Sequence, residues 1–398
     1  MRYADIKNNL LYFGLLVALA AVIYAIFSKK SCGWEGFTAS SSPIPAPLGL
    51  INGVNAAWQA FASSSNGSIL YGIENGTIYI SKNRGINWFK ITNPGTNTAY
   101  NSIACSSDGT SVYITTNGGP LYMSSTMGST WSTPTFPGSP NGAAITCTPD
   151  GSLIYLASSA VGVFSSSNYG STWNTLSLSN TINGVLQGFS SIQCSSNGKN
   201  VIVTINNSFP GVGVYVSSDS GATFSPCLNT TGPFGVIYQW TSSTCSADGK
   251  KMTVMGSGNF PKVQNGFIQV STDSGLTWTQ SSFNPPWAWN AASSIGASSD
   301  GNSLAVTSWP GGLSVSRDGG SSWVYQPMNP LINGKMAMSA DGSLIVVGDS
   351  VGKSLYKWPN LSPSPSPSPS PSPSPSPSSS SSSSSILNYM FTLPARSY

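Results

Sequence analysis

Two acidic residues, Glu74 and Asp349, are the candidates for carboxylate chemistry once the repeated acids are set aside. The chain of 398 residues has twelve Asp and Glu. Five stand in Asp-Gly turns, three in a second recurring turn, and Asp5 and Glu35 precede the main domain. The remaining pair falls in loops at equivalent places of two repeat units, and two carboxyl groups flanking a glycosidic bond serve glycoside hydrolysis. The plain alternative is two acids in solvated loops. Other chemistries find fewer residues. With no His and no Cys-x-x-Cys there is no ligand set for zinc or nonhaem iron, and a serine nucleophile lacks its usual base. No glycine-rich turn follows a strand and opens a helix, so no phosphate cradle is expected. No metal and no cofactor are expected. Sixteen Lys and Arg against twelve acids give +4 with no more than two adjacent cations, so nucleic acid is not an expected partner.

A binding surface is the stronger expectation. The segments 206–212, 230–239, 256–266, 281–292 and 308–312 are long and varied, and carry Phe209, Phe234, Tyr238, Phe260, Trp287, Trp289 and Trp309 among Asn, Gly and Pro. Exposed rings beside amides suit the apolar faces and hydroxyls of a glycan, or an apolar patch of a protein. The same rings can equally plug gaps between structural units. Trp287 and Trp289 are the sharpest pair, because i, i+2 spacing in an extended loop turns both rings the same way above the stiff Pro285-Pro286.

The elements that position these loops are written as a repeat. An Asp-Gly or Asn-Gly turn between short β-rich runs recurs seven times, at Asn66, Asp108, Asp150, Asn197, Asp248, Asp300 and Asp341. Such dipeptides tolerate the positive φ of a tight hairpin. About twenty residues after each of the first six stands a second motif, from Ser81-Lys-Asn83-Arg-Gly85-Ile-Asn87-Trp88 to Ser316-Arg-Asp318-Gly-Gly320-Ser-Ser322-Trp323. Its third position is Asn83, Thr126, Asn168, Asp219, Asp273 and Asp318 in turn. A side chain of this kind caps the backbone N–H groups of its own turn, so its reading is structural rather than a calcium loop. The first turns and the second motifs emerge on one face, and the long aromatic loops on the other.

The second motif resembles the Asp-box, or BNR repeat, of sialidases, sortilin-type receptors and photosystem assembly factors, over roughly residues 55–358. The resemblance implies a β-propeller, and counting the hairpins gives the expectation of an all-β ring of seven four-stranded antiparallel blades over residues 47–360. The outer strand of the last blade is expected from the segment 47–54, which closes the ring; a six-bladed ring with one irregular unit is the alternative. A sialidase also needs three arginines to clamp a carboxylate. This chain has four, Arg2, Arg84, Arg317 and Arg396, two at the ends and two inside Asp-boxes, so that triad cannot assemble. The expectation is a non-enzymatic propeller, with a Glu74/Asp349 hydrolase and a membrane-complex assembly factor as alternatives.

The ends differ in character. Residues 1–9 form an N-terminal flank. Residues 10–27 are uncharged and apolar, long enough at about 1.5 Å per residue to cross a bilayer, and read as an uncleaved anchor rather than a signal peptide. A linker, 28–46, follows. Residues 361–385 are Ser-Pro pairs and then serines, a stiff spacer followed by a flexible one, and 386–398 form a short apolar peptide. Anchor, low charge and Ser-Pro tract together resemble structural or surface proteins of large algal DNA viruses, implying a virion or cell-surface location. Cys105, Cys147, Cys194 and Cys245 each lie three residues before a hairpin Asp or Asn, where other units have Ser63, Ala297 and Met338. They are expected as free, buried thiols, about 10 Å from their neighbours. Sequons at Asn66, Asn75, Asn206, Asn229 and Asn360 become meaningful only in a secretory lumen.

Overall fold

The computed structural model describes Ile44–Pro45 and residues 58–358, except 97–98, 139, 142–143, 180, 183–184, 187, 207–211, 230–237, 259–265, 284–290, 310–311, 327–333 and 350–354. The segment 10–27, expected as an anchor, and the C-terminal segments 361–385 and 386–398 lie outside these residues. Among the described residues no helix is long and apolar enough to cross a membrane.

The chain folds as antiparallel sheets whose strands are joined by an Asp/Asn-Gly hairpin, a loop and, in the first six units, an Asp-box. The inner strands are Trp58–Ser63, Tyr100–Cys105, Ala144–Cys147, Phe189–Cys194, Tyr238–Cys245, Ala291–Ala297 and Gly334–Met338, each touching the next and the last touching the first. The strands following the hairpins, such as Leu70–Glu74 and Val201–Ile205, are buried along their whole length, because a neighbouring sheet covers each face. Clusters such as Tyr155, Ala157, Ile192, Val203 and Ile205 fill the space between sheets.

Six of these blades have four strands, which corrects the expected seven. The remaining unit is irregular. It has Tyr100–Cys105, Val112–Thr116 and Tyr122–Ser124, and its outer strand is reduced to a single bridge between Met123 and Ser132. Pro134 and Pro137 follow at once and cannot donate to a ladder. The closing strand is also displaced from expectation. Ile44–Pro45, not 47–54, pairs with Tyr356 and Lys357, so the domain begins before residue 47. A small hairpin, Thr181–Ile182 with Val185–Leu186, is inserted between two blades.

Peptide groups stitch the inner strands together where the hairpins emerge. The N–H of Ser65 donates to the carbonyl of Ser107 (2.8 Å), Ser107 to Pro149 (2.7 Å), Ser196 to Ala247 (2.9 Å), Ala247 to Ser299 (2.7 Å), Ser299 to Ala340 (2.6 Å), and Ala340 to Ser65 (2.7 Å). The missing link falls at Pro149, which has no N–H. Units therefore approach at the axis much more closely than the about 10 Å of stacked sheets. Tyr71, Tyr113 and Tyr155 add side-chain links by donating to the hairpin glycine carbonyl of the next unit at 2.7, 2.8 and 2.7 Å. Near their opposite ends five inner strands carry a bulge, at Gln59, Asn101, Ser190, Thr241 and Ser293. All five extra residues are polar.

Candidate functional site

Each repeated acid or amide is engaged inside its own turn. At the seven hairpins the Oδ1 of Asn66, Asp108, Asp150, Asn197, Asp248, Asp300 and Asp341 accepts the N–H two residues on, at 2.9–3.1 Å. In the six Asp-boxes the leading serine accepts the glycine N–H at 2.8–2.9 Å. The third residue, whether Asn83, Thr126, Asn168, Asp219, Asp273 or Asp318, accepts an N–H four residues on at 2.8–2.9 Å. The residue before each box glycine is itself left-handed, including Arg84 (φ 58°) and Tyr169 (φ 55°), so two such residues run in succession. Four box tryptophans donate to that glycine's carbonyl at 3.0–3.2 Å, while Trp131 reaches Thr92 at 3.0 Å. Box and hairpin share one face, because the N–H of the residue before each box glycine, as in Ser274 to Lys250 (2.8 Å), donates to the carbonyl just after the hairpin.

These bonds set an acid limit. The carboxyls of Asp219, Asp273 and Asp318 are held down to about 2 by the hydroxyls of Thr223, Thr277 and Ser322, then by those residues' N–H groups. The folded pKa lies below the unfolded 3.8, so the contribution is complete above that value and lost as pH falls toward about 2. Asn83, Thr126 and Asn168 do not titrate. Thermal melting followed from pH 7 to 2 is expected to stay level to about pH 4 and then decline. The triple change Asp219→Asn, Asp273→Asn, Asp318→Asn should shallow that decline. Part remains, from Asp108, Asp150, Asp248 and Asp300, each lowered chiefly by a neighbouring Ser or Thr hydroxyl.

The candidate hydrolytic pair is placed differently from expectation. Glu74 is a strand residue and only 9% exposed, not a member of a solvated loop. It pairs with Thr77 across a two-residue turn whose Asn75 and Gly76 have φ of 42° and 71°. Tyr79 lies close enough that its hydroxyl pKa, raised chiefly by burial, is raised further by Glu74. Asp349 ends the strand Ile345–Asp349 and pairs with Gly334. The two acids thus end equivalent strands of adjoining units; the side chain of Asp349 lies outside the described residues. Among the described residues no group of three or more His, Cys, Asp or Glu is arranged to hold a metal.

Of the expected ligand-binding residues, Phe209, Phe234, Phe260, Trp287 and Trp289 lie outside the described residues. Tyr238 starts an inner strand opposite Gly258, and Trp309 ends a strand opposite Ala291. Two features of the axis were not read from the sequence. A cavity of about 210 Å³ stands at the hairpin end, lined by Ser63, Cys105, Cys147, Cys194, Cys245 and Met338, with Ser65, Ser107, Ser196 and Ser299 nearer the turns. The thiols are free, partly open to this cavity and withdrawn from bulk water, and burial pushes those of Cys105, Cys194 and Cys245 up to about 12. The second feature is Lys335. It is the one ionisable cation on any of the seven inner strands, a signal that the strand assignments alone could have revealed.

No protein-family model matches the chain, and no curated protein matches it. Among solved structures it is similar to a GH74 xyloglucanase from Xanthomonas campestris, with a TM-score of 0.60 and 15% identity over 77% of this chain and 52% of that one. The chain therefore spans about half the length of the xyloglucanase. It is similar to YCF48 from Cyanidioschyzon merolae, with a TM-score of 0.58 and 13% identity over 78% of this chain and 97% of that one. It is also similar to YCF48 bound to a D1 peptide, with a TM-score of 0.55 and 15% identity over 77% and 94% of the two chains. What these proteins share with the chain is the β-propeller fold.

Proposed function

We propose that the chain is a membrane-anchored, non-enzymatic propeller that recognises a protein or glycan on the face opposite its Asp-boxes. The observation that carries this reading is the fate of the repeated acids. Every described Asp and Asn of the hairpins and boxes caps its own turn, so that face is spent on scaffolding, and variety is left to the opposite loops. The match to YCF48 over nearly its full length, including a form bound to a peptide, supports a protein ligand. Residues 10–27 supply the anchor in this proposal, and a virion or cell surface is the setting it suits. The test is binding of the purified full chain to glycan and peptide arrays, compared with Trp287→Ala/Trp289→Ala. Loss of about tenfold or more in affinity with unchanged melting is expected for a paired aromatic anchor. Retained binding overturns the role of these loops. A second reading, glycoside hydrolysis, draws on the equivalent positions of Glu74 and Asp349. It requires turnover of a fluorogenic glycoside that Glu74→Gln abolishes.

A further inference from the structure

The seven inner strands end in step at the axis, on Ser63, Cys105, Cys147, Cys194, Cys245, Ala297 and Met338. Four of the chain's six cysteines thus stand at one level of consecutive units, and Met338 brings sulfur to a fifth position. All of these residues line the cavity of about 210 Å³ at the hairpin end. Ser63 and Ala297 fill the same position in other units, so packing does not require a thiol there. The four thiols are free and partly open to the cavity, yet withdrawn from bulk water.

They are also neighbours. Two residues further on, Ser107 donates its N–H to the carbonyl of Pro149 at 2.7 Å, and Ser196 to that of Ala247 at 2.9 Å. These bonds hold the strands of Cys105 and Cys147, and those of Cys194 and Cys245, at the separation of hydrogen-bonded chains, about 5 Å. The side chains act on one another at that range. The pKa of Cys147, raised chiefly by burial, is raised further by charge on Cys105 and Cys194, and that of Cys245 by burial and then by charge on Cys194. Among the described residues no three His, Cys, Asp or Glu are arranged to hold a metal, which does not suit the tetrahedral set of zinc. A pair of thiolates suits a different ion. Cu(I) prefers soft sulfur ligands and binds two of them in a line. Buried neutral thiols oxidise slowly because the thiolate is the reacting form, whereas a coordinating metal displaces the proton outright.

We infer that the axial cavity binds the soft monovalent cation Cu(I), one ion between Cys105 and Cys147 and one between Cys194 and Cys245. Each ion forms two Cu–S bonds as two S–H bonds break. Both protons leave to solvent, the copper stays monovalent, and the centre carries one negative charge. Ser65, Ser107, Ser196 and Ser299 line the way in from the hairpin mouth. This goes beyond the recognition proposed above and does not rest on it, since it uses neither the aromatic loops nor their ligand.

The experiment titrates the reduced, detergent-solubilised full chain with Cu(I), without oxygen, against a chromophoric Cu(I) chelator. Saturable binding is expected, with about two protons released per ion at neutral pH. Changing Cys105, Cys147, Cys194 and Cys245 together to Ser should weaken binding by more than about a hundredfold, beyond what loss of an outer-shell partner causes. Serine already stands at this level in the first unit, and melting of the variant checks that it folds. Cys105→Ser/Cys147→Ser and Cys194→Ser/Cys245→Ser should each halve the number of ions bound, which keeps the idea testable if the fourfold variant fails to fold. Cys32→Ser/Cys227→Ser should change nothing, and Zn(II) should compete only weakly. Absence of saturable binding, equal binding by the fourfold variant, an ion count unmoved by either double change, loss of binding in Cys32→Ser/Cys227→Ser, or equal affinity for Zn(II) overturns the proposal.

Discussion

Alanine in place of Gly348 is expected to cost about 3 kcal/mol, at the upper end of what overpacking a core costs. Its Cβ would lie 2.6 Å from the Cβ of Trp58 and 2.6 Å from the ring of Phe61. Trp58 is 1% exposed and stacks on Phe61 with centroids 5.0 Å apart, and Tyr79 and Trp88 each stand 5.8 Å from it. From within the first blade Gly72 meets the same pair, since a Cβ there would come within 2.5 Å of Trp58. The two rings thus lie between glycines at the seam where the last unit meets the first. A clash with a Cβ cannot be relieved by rotating a side chain, so the strands themselves must separate. Gly118 is the control: it has positive φ, 70°, but nothing lies within 4 Å of its added Cβ. Gly118→Ala should cost only about 1 kcal/mol, the backbone penalty alone. Urea unfolding of both variants checks the contrast, and a Gly348→Ala cost no greater than that of Gly118→Ala defeats it.

That seam also shows what the sequence could and could not reveal. The hairpins and boxes were legible because their chemistry is local: an Asp or Asn, a serine and a left-handed glycine within eight residues define the turn wherever it stands. Blade order followed from counting them. The closing strand was misplaced because Ile44–Pro45 is two residues long and has no periodicity of its own; its partner, Tyr356-Lys357, is more than 300 residues away in the chain. The truncated unit was signalled by Pro134 and Pro137, whose missing donors outweigh the expectation of a regular repeat. Glu74 was misread as a loop residue although Asn75-Gly76 is itself a hairpin turn, a signal obscured by the sequon it shares. Bulges leave no local signature, so Gln59 and Asn101 became visible only in register against Glu74–Ile73 and Thr116–Thr115. Lys335 needed only the inner strands to be identified.

The second large effect is expected at Ser271, not at the aspartate for which its motif is named. Ser271 is 1% exposed; its Oγ accepts the N–H of Gly275 at 2.8 Å and donates to Asp273 Oδ1 at 2.8 Å. Removing it leaves a buried backbone N–H with no acceptor and frees the carboxylate from one donor. A buried donor left unsatisfied costs about 1–3 kcal/mol, so Ser271→Ala should cost about 2–3 kcal/mol. Asp273→Asn should change stability by no more than about 0.5 kcal/mol, as a substitution on an exposed surface does when the bonding survives. The chain has already made this exchange, since Asn83 and Asn168 accept the same N–H at 2.8 and 2.9 Å. In the Asn168 box Nδ2 donates to Thr172 Oγ1 at 2.8 Å, so the hydroxyl simply reverses its role from donor to acceptor. Asp273→Ala, which loses the acceptor itself, should fall between the two. Chemical denaturation of the three variants at pH 7 gives the order; if Asp273→Asn costs as much as Ser271→Ala, the negative charge and not the acceptor geometry holds the turn.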